Sequence, residues 1–353
     1  TRRQRQMCIR DRRKDITITN GVLDGYSKKG GIVVETLFRT EAKLVRRNPV
    51  PIKPVVQPIT VAKPRNAVSF DPRGLAEGRA LIMADPHFGF EWEPPRWEPR
   101  PFHDRRALDV ALQIAAMSDV DVVEWLGDLQ DLTVWQDKFA RLPSYYGTTQ
   151  PALHENHWWL AQFVDAAPTA QHRAHMGNHD IRMDKATSSH MREAYGLRPV
   201  DQFDLPPSMS IPRLLALHQL GIDVVGGYPD DQAWLGDAMQ TQHGHIARAK
   251  PLGTVTALLS QGIYSQACGH IHRDELVSES RVQLGGYMRT ITAYCPGCLC
   301  HIDGRVPGSS ARSNWRQGVG IVEWFGEDVS IYHVPIRNGR AVFQGQVIEA
   351  RDR

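Results

Sequence analysis

Five short motifs concentrate the side chains of this chain that could bind a metal ion. They are, in chain order, Asp85-Pro86-His87, Gly127-Asp128, Gly177-Asn178-His179-Asp180, Gln242-His243-Gly244-His245 and Gly269-His270-Ile271-His272. Carboxylate, amide and imidazole groups of these motifs supply seven oxygen and nitrogen donors. Two adjacent divalent metals need about that many once a water and a substrate oxygen complete their coordination. The pattern therefore predicts a two-metal hydrolytic site.

The elements that must position these groups are visible around the first two motifs. Residues 80–84 are an apolar run, and residues 122–126 are apolar except for Glu124; both predict strands, and each ends directly before a motif. Residues 103–118 between them have apolar side chains near helical spacing. Strand, helix and strand thus follow one another as in a βαβ unit. The candidate ligands then fall at the carboxyl ends of strands, where open α/β sheets build their sites.

The residue types indicate which metals are suitable. A mixture of carboxylate and imidazole suits manganese, iron or zinc better than calcium. Asp128 has two carboxylate oxygens and can bridge two ions. His270 and His272 are two positions apart, so in an extended segment they lie on one face and can each bind a different ion.

In this order the five motifs resemble those of the calcineurin-like metallophosphoesterase superfamily, whose pattern is D-x-H, G-D, G-N-H-[DE], a later H and G-H-x-H. The resemblance covers residues 79–275. It implies an α/β fold, a four-layer αββα sandwich with a dinuclear metal site at the strand ends. It also implies an enzyme that hydrolyses a phosphate ester with a hydroxide activated by two divalent ions, of which manganese is favoured over iron or zinc.

The resemblance also implies a role for each motif residue. One ion would be held by Asp85, His87, Asp128 and His272. The other ion would be held by Asp128, Asn178, His243 and His270. His179 would contact the transferred phosphoryl group or protonate the leaving oxygen, and Asp131 would orient His179. His245 either faces the phosphate or is a structural neighbour, and Asp180 is interpreted as a supporting or helix-capping residue.

The substrate class is less well determined by the sequence. Protein phosphatases of the superfamily have an arginine directly after the position of Asp131, and Leu132 occupies it here, which argues against a phosphoprotein. The preferred interpretation is a phosphodiesterase or nuclease-like enzyme of phage or prophage type, distantly similar to the SbcD-type nucleases. Arg182, Arg273 and Arg289 are candidate substrate contacts.

Two other functions remain open. The alternative within the enzymes is a small-molecule phosphomonoesterase or nucleotide pyrophosphatase. The alternative outside the enzymes is a nucleic-acid-binding scaffold with a vestigial site. The complete ligand set argues against the scaffold, because drift usually removes ligands first.

Positive charge is concentrated at the N-terminal end. Residues 1–65 have 16 Lys and Arg against 5 Asp and Glu, a charge of +11, which leaves −8 for the remainder of a chain whose net charge is +3. Such an arm is either a nucleic-acid-binding appendage or a solvated tail. Residues 25–39 could form a hairpin that turns at residues 28–31, and prolines mark a linker to about residue 73. We therefore predict an arm over residues 1–73 and a metallophosphoesterase domain over residues 74–353.

The remaining composition bounds the class of protein. With 353 residues, 41% of them hydrophobic and 23% charged, the chain has the composition of an ordinary soluble globular protein. No apolar run approaches the ~20 residues that span a bilayer. We predict a cytoplasmic protein with no membrane partner, and the oligomeric state stays open. Residues 7–12 resemble translated sequencing-adapter sequence, so residues 1–12 could be artefactual and the chain a truncated reading frame.

Three further features of the sequence lead to structural predictions. Residues 88–102 and 135–159 are rich in aromatic side chains and are expected to flank the metal site as loops or a lid. Cys295, Cys298 and Cys300 have knuckle-like spacing and either bind structural zinc with Cys268 or are buried free thiols, the default. Residues 319–325, 329–334 and 341–348 predict hairpins that complete the second sheet of the sandwich.

Overall fold

The computed structural model of the protein describes residues 16–26, 32–42, 74–136, 142–310 and 313–351. The chain divides into two units, Thr1–Lys53 and Pro54–Arg353, which are described separately. In the first unit, β1 (Ile16–Tyr26) and β2 (Ile32–Ala42) pair antiparallel. The predicted turn at residues 28–31 and the predicted domain boundary at residue 73 lie outside the described residues, so both stay predictions.

The second unit contains the remaining described strands and helices. The strands are β3 (Glu77–Met83), β4 (Phe90–Glu93), β5 (Glu98–Pro101), β6 (Val122–Trp125), β7 (Gln171–His175), β8 (Ile222–Val225), β9 (Ala233–Leu235), β10 (Met239–Gln242), β11 (Ser265–Cys268), β12 (Asp274–Val282), β13 (Met288–Pro296), β14 (Gln317–Phe325), β15 (Asp328–Ile336), β16 (Arg340–Phe343) and β17 (Gln346–Glu349). The helices are α1 (Arg105–Met117), α2 (Thr149–Ala166), α3 (Arg182–His190), α4 (Ile211–Leu214), α5 (Leu217–Leu220) and α6 (Gly253–Gln261).

A six-stranded sheet, sheet 1, carries the first three motifs. Its strand order is β15-β14-β3-β6-β7-β8, and β3, β6, β7 and β8 run parallel. Strands buried on both faces need apolar side chains without alternation. Accordingly Leu81, Ile82, Val122 and Val123 are all fully buried. The predicted βαβ unit is confirmed, because α1 connects β3 to β6.

A five-stranded sheet, sheet 2, carries the last two motifs. Its order is β12-β13-β11-β10-β9, and the motifs follow the parallel neighbours β10 and β11. Met239, Ala267 and Tyr294 of sheet 2 pack against Ile82 and Val122 of sheet 1 in one core. The two sheets therefore form the inner layers of the second unit.

Helices cover the outer faces of both sheets. Leu108 of α1 and Phe163 of α2 belong to the core on the far side of sheet 1, and Val255 of α6 belongs to the core on the far side of sheet 2. α1 begins where the side chain of Asp104 accepts from the N–H of Arg106 at 2.9 Å, an N-cap that satisfies an otherwise unpaired donor. The predicted αββα sandwich is confirmed.

The prediction for the C-terminal strands is wrong. β14 does not join sheet 2 but lies in sheet 1 between β15 and β3, antiparallel to both. The physical reason is tertiary packing: Val319 lies in the core between sheet 1 and its helices, and Val322 lies in the core between the two sheets, a combination that only a strand of sheet 1 can make. Residues 341–348 are not one strand, because they fall on the separate hairpin of β16 and β17, which turns at Gln344 and Gly345 with positive φ.

The two aromatic insertions also differ from the prediction. Residues 88–102 contain the hairpin of β4 and β5. The second half of residues 135–159 is not a loop but the start of α2, because Trp159 is buried in the core beside sheet 1. Trp92 Nε1 donates to the carbonyl of Tyr146 at 2.8 Å, so the two insertions contact each other.

The described cysteines are Cys268, Cys295, Cys298 and Cys300, all buried free thiols. Within the described part of the chain, no cysteine belongs to a group of side chains close enough to share a metal ion. None of the described helices is long and apolar enough to cross a membrane.

Candidate metal centre

Backbone hydrogen bonds join the loops that follow β3 and β6. The N–H of Asp85 donates to the carbonyl of Gly127 at 3.2 Å, and the N–H of His87 donates to the carbonyl of Asp128 at 3.1 Å. These bonds continue the parallel pairing of the two strands beyond their ends. The first two motifs therefore lie side by side at one edge of sheet 1.

The carboxylates of these motifs are held by backbone donors from the other loops. The N–H of His270 donates to Asp85 Oδ2 at 2.9 Å, which ties the last motif to the first. The N–H of His179 donates to Asp128 Oδ1 at 2.8 Å, which ties the third motif to the second. Backbone donors alone thus hold each carboxylate in one orientation, without the help of a cation.

The side chains of the five motifs converge on two groups. The first consists of Asp85, His87, Asp128 and His272, whose ligand atoms all lie within 4.8 Å of one another. The second, within the same limit, consists of Asp128, His243 and His270. Asn178 Oδ1 lies 3.1 Å from His243 Nε2 and so joins the second group. The structure thus brings the seven predicted ligands together, and Asp128 is the residue that the two groups share.

Asp131 and His179 lie at the edge of the first group. Asp131 Oδ2 is 3.5 Å from His179 Nδ1 and 3.4 Å from His87 Nδ1. His179 Nδ1 also donates to the backbone carbonyl of Asp131 at 3.0 Å. Asp131 is therefore placed where it can orient the rings of both histidines.

Arg182 is a contact that the motifs did not specify. Its Nη2 donates to His179 Nε2 at 2.8 Å, and its Nη1 donates to the carbonyl of Asp131 at 2.7 Å. A guanidinium group can only donate. His179 therefore has its proton on Nδ1 in this arrangement. The other candidate arginines are engaged elsewhere, Arg273 with Glu275 and Arg289 with Glu327.

Five of the seven predicted ligands have a left-handed backbone. The positive φ values are 52° at Asp85, 49° at His87, 50° at Asp128, 71° at His270 and 55° at His272. Residues other than glycine rarely adopt this conformation, and holding one there costs about 1–3 kcal/mol. Such strain is typical of sites where function requires a particular side-chain direction. The sequence alone does not reveal these left-handed conformations, because they occur at aspartate and histidine and not at glycine, the residue that usually marks them.

Two motif glycines are required by close approach. Gly127 has φ of 89°, and a Cβ there would lie 2.7 Å from His243 Nδ1. A Cβ at Gly177 would collide with Asp128 Oδ1. Both positions exclude any larger residue, because the ligand side chains would be displaced.

Burial and mutual charge set the protonation of the cluster. Burial raises the pKa of Asp85 to about 7. Burial also opposes ionisation of Asp128, but His243 and the neighbouring histidines hold the pKa of Asp128 well below its usual range. Burial lowers the pKa of the ligand imidazoles, to about 4 for His87, about 4 for His270 and about 3 for His272. These three imidazoles are therefore neutral at pH 7, the form that binds a metal.

The donor set fits divalent cations. His243 Nδ1 donates to the carbonyl of Leu126 at 2.6 Å, and its Nε2 lies 3.5 Å from Asp128 Oδ2. His87 Nε2 and His272 Nε2 lie 3.0 Å apart, and the buried Nδ1 of His272 has no hydrogen-bond partner. Neutral imidazoles that converge on buried carboxylates match the nitrogen and oxygen ligands of divalent transition metals. A cation would also compensate the buried negative charge.

Asp180 supports the ligand loops. Its carboxylate accepts from the N–H groups of Leu129 at 3.1 Å, Gln130 at 2.9 Å and Gly177 at 2.9 Å. It thereby joins the loop after Asp128 to the loop of the third motif. Burial and the charge of Asp128 raise its pKa to about 7 despite the three donors.

Replacing Asp180 by asparagine should weaken metal binding about 10- to 100-fold, because one amide oxygen cannot accept from all three backbone donors. Isothermal titration of metal-stripped protein with Mn²⁺ measures the change. Asp184→Asn, one turn further along, is the matched control and should retain wild-type affinity. Equal affinities of the two variants would show that the loops hold their positions without Asp180.

His245 lies apart from the two ligand groups. It is exposed and lines a cleft of about 360 Å³ with Gln240, Gln242 and Tyr264. No member of the ligand groups lines this cleft. Its predicted contact with substrate therefore stays a prediction.

Two aromatic residues beside the ligands were not singled out from the sequence. The ring of Trp315 lies edge-on to His272 with centroids 4.0 Å apart, and the ring of Tyr228 lies 5.7 Å from that of His243. Neither belongs to a motif, so no local signal marked them.

Comparisons with known proteins give only weak matches. No protein-family model matches the chain, and no curated protein matches it. Among solved structures, YfcE, a phosphoesterase from E. coli, is 14% identical, with 72% of this chain and 98% of that chain covered and a TM-score of 0.30. TT1561 of Thermus thermophilus is 10% identical, with 72% and 98% covered and a TM-score of 0.29.

A 5'-nucleotidase precursor, also from Thermus thermophilus, is 10% identical, with 73% of this chain and 54% of that chain covered and a TM-score of 0.30. TM-scores of this size are too low to carry a conclusion about fold or function. The link between this chain and the calcineurin-like metallophosphoesterases is therefore its five motifs and the convergence of their side chains.

Proposed function

We propose that the protein is a metal-dependent phosphoesterase, a hydrolase that acts on phosphate esters, and within that class a phosphodiesterase or nuclease-like enzyme. The observation that supports this most is the convergence of seven side chains from five loops on two groups that share Asp128. Two divalent cations, with manganese favoured, would supply Lewis-acid stabilisation of the phosphoryl group and a more acidic water.

The predicted ligands would divide between the two cations. One cation would be held by Asp85, His87, Asp128 and His272. The other would be held by Asp128, Asn178, His243 and His270. The backbone donors to Asp85 and Asp128 keep the carboxylates oriented, so that binding requires little rearrangement.

His179 is the residue to which we assign the proton for the leaving oxygen. Its Nε2 lies 3.9 Å from Asp128 Oδ2, and the ring belongs to neither of the two groups that share Asp128 but forms a third close group with His87 and Asp131. Asp131 fixes the ring through Nδ1. Because Arg182 donates to Nε2, Arg182 has to release this nitrogen before His179 can donate a proton from it.

Hydrolysis of two model substrates tests the proposal. Metal-stripped enzyme is given Mn²⁺, and the hydrolysis of bis-p-nitrophenyl phosphate is compared with that of p-nitrophenyl phosphate. Preference for the diester is expected. Preference for the monoester would instead support a small-molecule phosphatase, and no hydrolysis of either substrate by metal-bound protein would support a scaffold.

Replacing His179 by alanine should lower kcat for the diester about 10²-fold, because a positioned general acid is lost. Bound manganese, measured by mass spectrometry of the protein solution, should stay at the wild-type level. His154→Ala on the partly exposed side of α2 is the control and should change neither quantity. Loss of metal together with rate would make His179 a ligand and remove the acid assignment.

A further inference from the structure

A groove runs along α3 beside the candidate metal centre. Its volume is about 430 Å³, and its described lining includes Trp135, Arg182, Lys185, Ser189 and His190. The last four residues belong to one helix, and positions three and four apart on a helix lie on the same face. We call this feature the α3 groove.

The α3 groove differs in charge from the other clefts. No aspartate or glutamate is among its described lining residues. Three other clefts, of about 360, 480 and 670 Å³, each include at least one aspartate, for example Asp230, Asp180 and Asp104. Since residues 66–353 have a net charge of −8, a cationic groove in this part of the chain is unexpected. The cationic lining of the α3 groove therefore suits a negatively charged ligand.

Arg182 connects the groove to the site. Its guanidinium lines the groove and at the same time donates to His179 Nε2 at 2.8 Å. Lys185 lies one turn further along α3 and is exposed. A negatively charged chain that meets the ligand groups at His179 would therefore continue along two cationic side chains.

Trp135 adds an aromatic surface to the groove. Its Nε1 donates to Thr149 Oγ1 at 3.0 Å, which fixes the ring against α2 while the residue stays partly exposed. A cationic groove that follows the backbone, together with an aromatic ring for a base, is the combination that binds single-stranded nucleic acid.

We propose that the α3 groove binds single-stranded nucleic acid next to the phosphodiester that is cleaved, with Arg182 and Lys185 on phosphates and Trp135 against a base. This inference rests on the proposed function, because it takes the candidate metal centre as the place of cleavage. It specifies the substrate class as an oligonucleotide.

Binding of a labelled oligonucleotide tests the groove independently of hydrolysis. The full chain is titrated into fluorescein-labelled dT12 in EDTA, and anisotropy is followed at several salt concentrations. Lys185→Glu should raise Kd about tenfold at low salt and reduce the slope of log Kd against log salt by about 0.7, the value for one phosphate contact on a single strand. Lys250→Glu, at the other described lysine, should bind like wild type, and any contribution of residues 1–65 is common to both variants.

Hydrolysis separates the groove from the site. The ratio of kcat/KM for the oligonucleotide to that for bis-p-nitrophenyl phosphate should fall about tenfold in Lys185→Glu and stay at the wild-type value in Lys250→Glu. Equal Kd values and equal ratios for the two variants would overturn the inference while leaving the proposed function intact. If the wild type hydrolyses neither substrate but Kd still depends on Lys185, the proposed function fails and the groove is supported as a binding surface.

Trp135 is tested with a matched pair of substitutions. Trp135→Leu and Trp135→Phe both lose the hydrogen bond to Thr149, but only the phenylalanine retains an aromatic ring. Kd for dT12 should rise about tenfold in the leucine variant relative to the phenylalanine variant. Equal Kd values for two folded variants would remove base stacking from the inference.

Discussion

Asp128→Asn is expected to lower kcat/KM for bis-p-nitrophenyl phosphate by at least about 10⁴-fold and to reduce bound manganese. The side chain is buried and is shared by both ligand groups, so its charge faces any cation bound in either group. Asparagine has the same shape but no charge. Activity and metal content are measured on the same metal-reconstituted preparation.

The control for Asp128 is a carboxylate of the same type outside the site. Asp165→Asn on the exposed end of α2 removes one negative charge and should change neither activity nor metal content. A further comparison is His243→Ala, which removes a ligand from the second group only and should leave more bound metal than Asp128→Asn. Full metal content and activity in Asp128→Asn would show that Asp128 does not bridge.

The sequence was sufficient to predict the convergence of the candidate ligands. Asp85 directly follows one strand-like run and Asp128 follows another after a single glycine, and parallel strands end at the same edge of a sheet. The order of the motifs along the chain then determined which residues would meet. This information is local, because it depends on strand type and on a few residues beyond each strand.

Features that depend on distant pairing were not predictable. β14 pairs with β3 although more than 200 residues separate them, and no local pattern distinguishes a strand of sheet 1 from a strand of sheet 2. The contact of Arg182 with His179 depends on where α3 begins, which varies by a residue or more in any assignment from sequence. The left-handed backbone at Asp85 depends likewise on its tertiary partners.

The second large effect is expected on stability. It comes from a buried polar network that joins the two sheets. Glu124 of β6 is fully buried and accepts from Arg173 Nη2 at 2.6 Å, His175 Nε2 at 2.7 Å and Thr241 Oγ1 at 2.6 Å. Arg173 also donates to the carbonyl of Trp234 at 2.9 Å. The network therefore joins β6 and β7 of sheet 1 to β9 and β10 of sheet 2.

Glu124→Gln is expected to lower the free energy of unfolding at pH 7 by about 3–5 kcal/mol, because it leaves the buried charge of Arg173 without a counterion. Urea unfolding followed by tryptophan fluorescence measures the change. Glu323→Gln is the matched control in the same sheet. Its partner Arg79 is well exposed, so this substitution should cost only about 0–1 kcal/mol.

The pH dependence of this destabilisation tests whether the lost charge of Glu124 is its cause. Burial opposes its ionisation, but Arg173 and the hydrogen bonds lower the pKa of Glu124 to about 2, from 4.5. A carboxylate with a lowered pKa stabilises the folded state above its unfolded pKa, and this stabilisation is lost as the pH falls toward the folded pKa. The difference in unfolding free energy between wild type and Glu124→Gln should therefore be constant from about pH 5 to 7.

Below that range the difference should shrink, and roughly half or more of the charge-dependent part should be gone by about pH 3. Titrating groups that do not contact Glu124, including those of the ligand cluster, are common to both proteins and cancel in the difference. A difference that stays constant over the whole range would mean that the glutamine destabilises through packing or hydrogen-bond geometry rather than through loss of charge. In that case Arg173 would have to find its compensation elsewhere in the network.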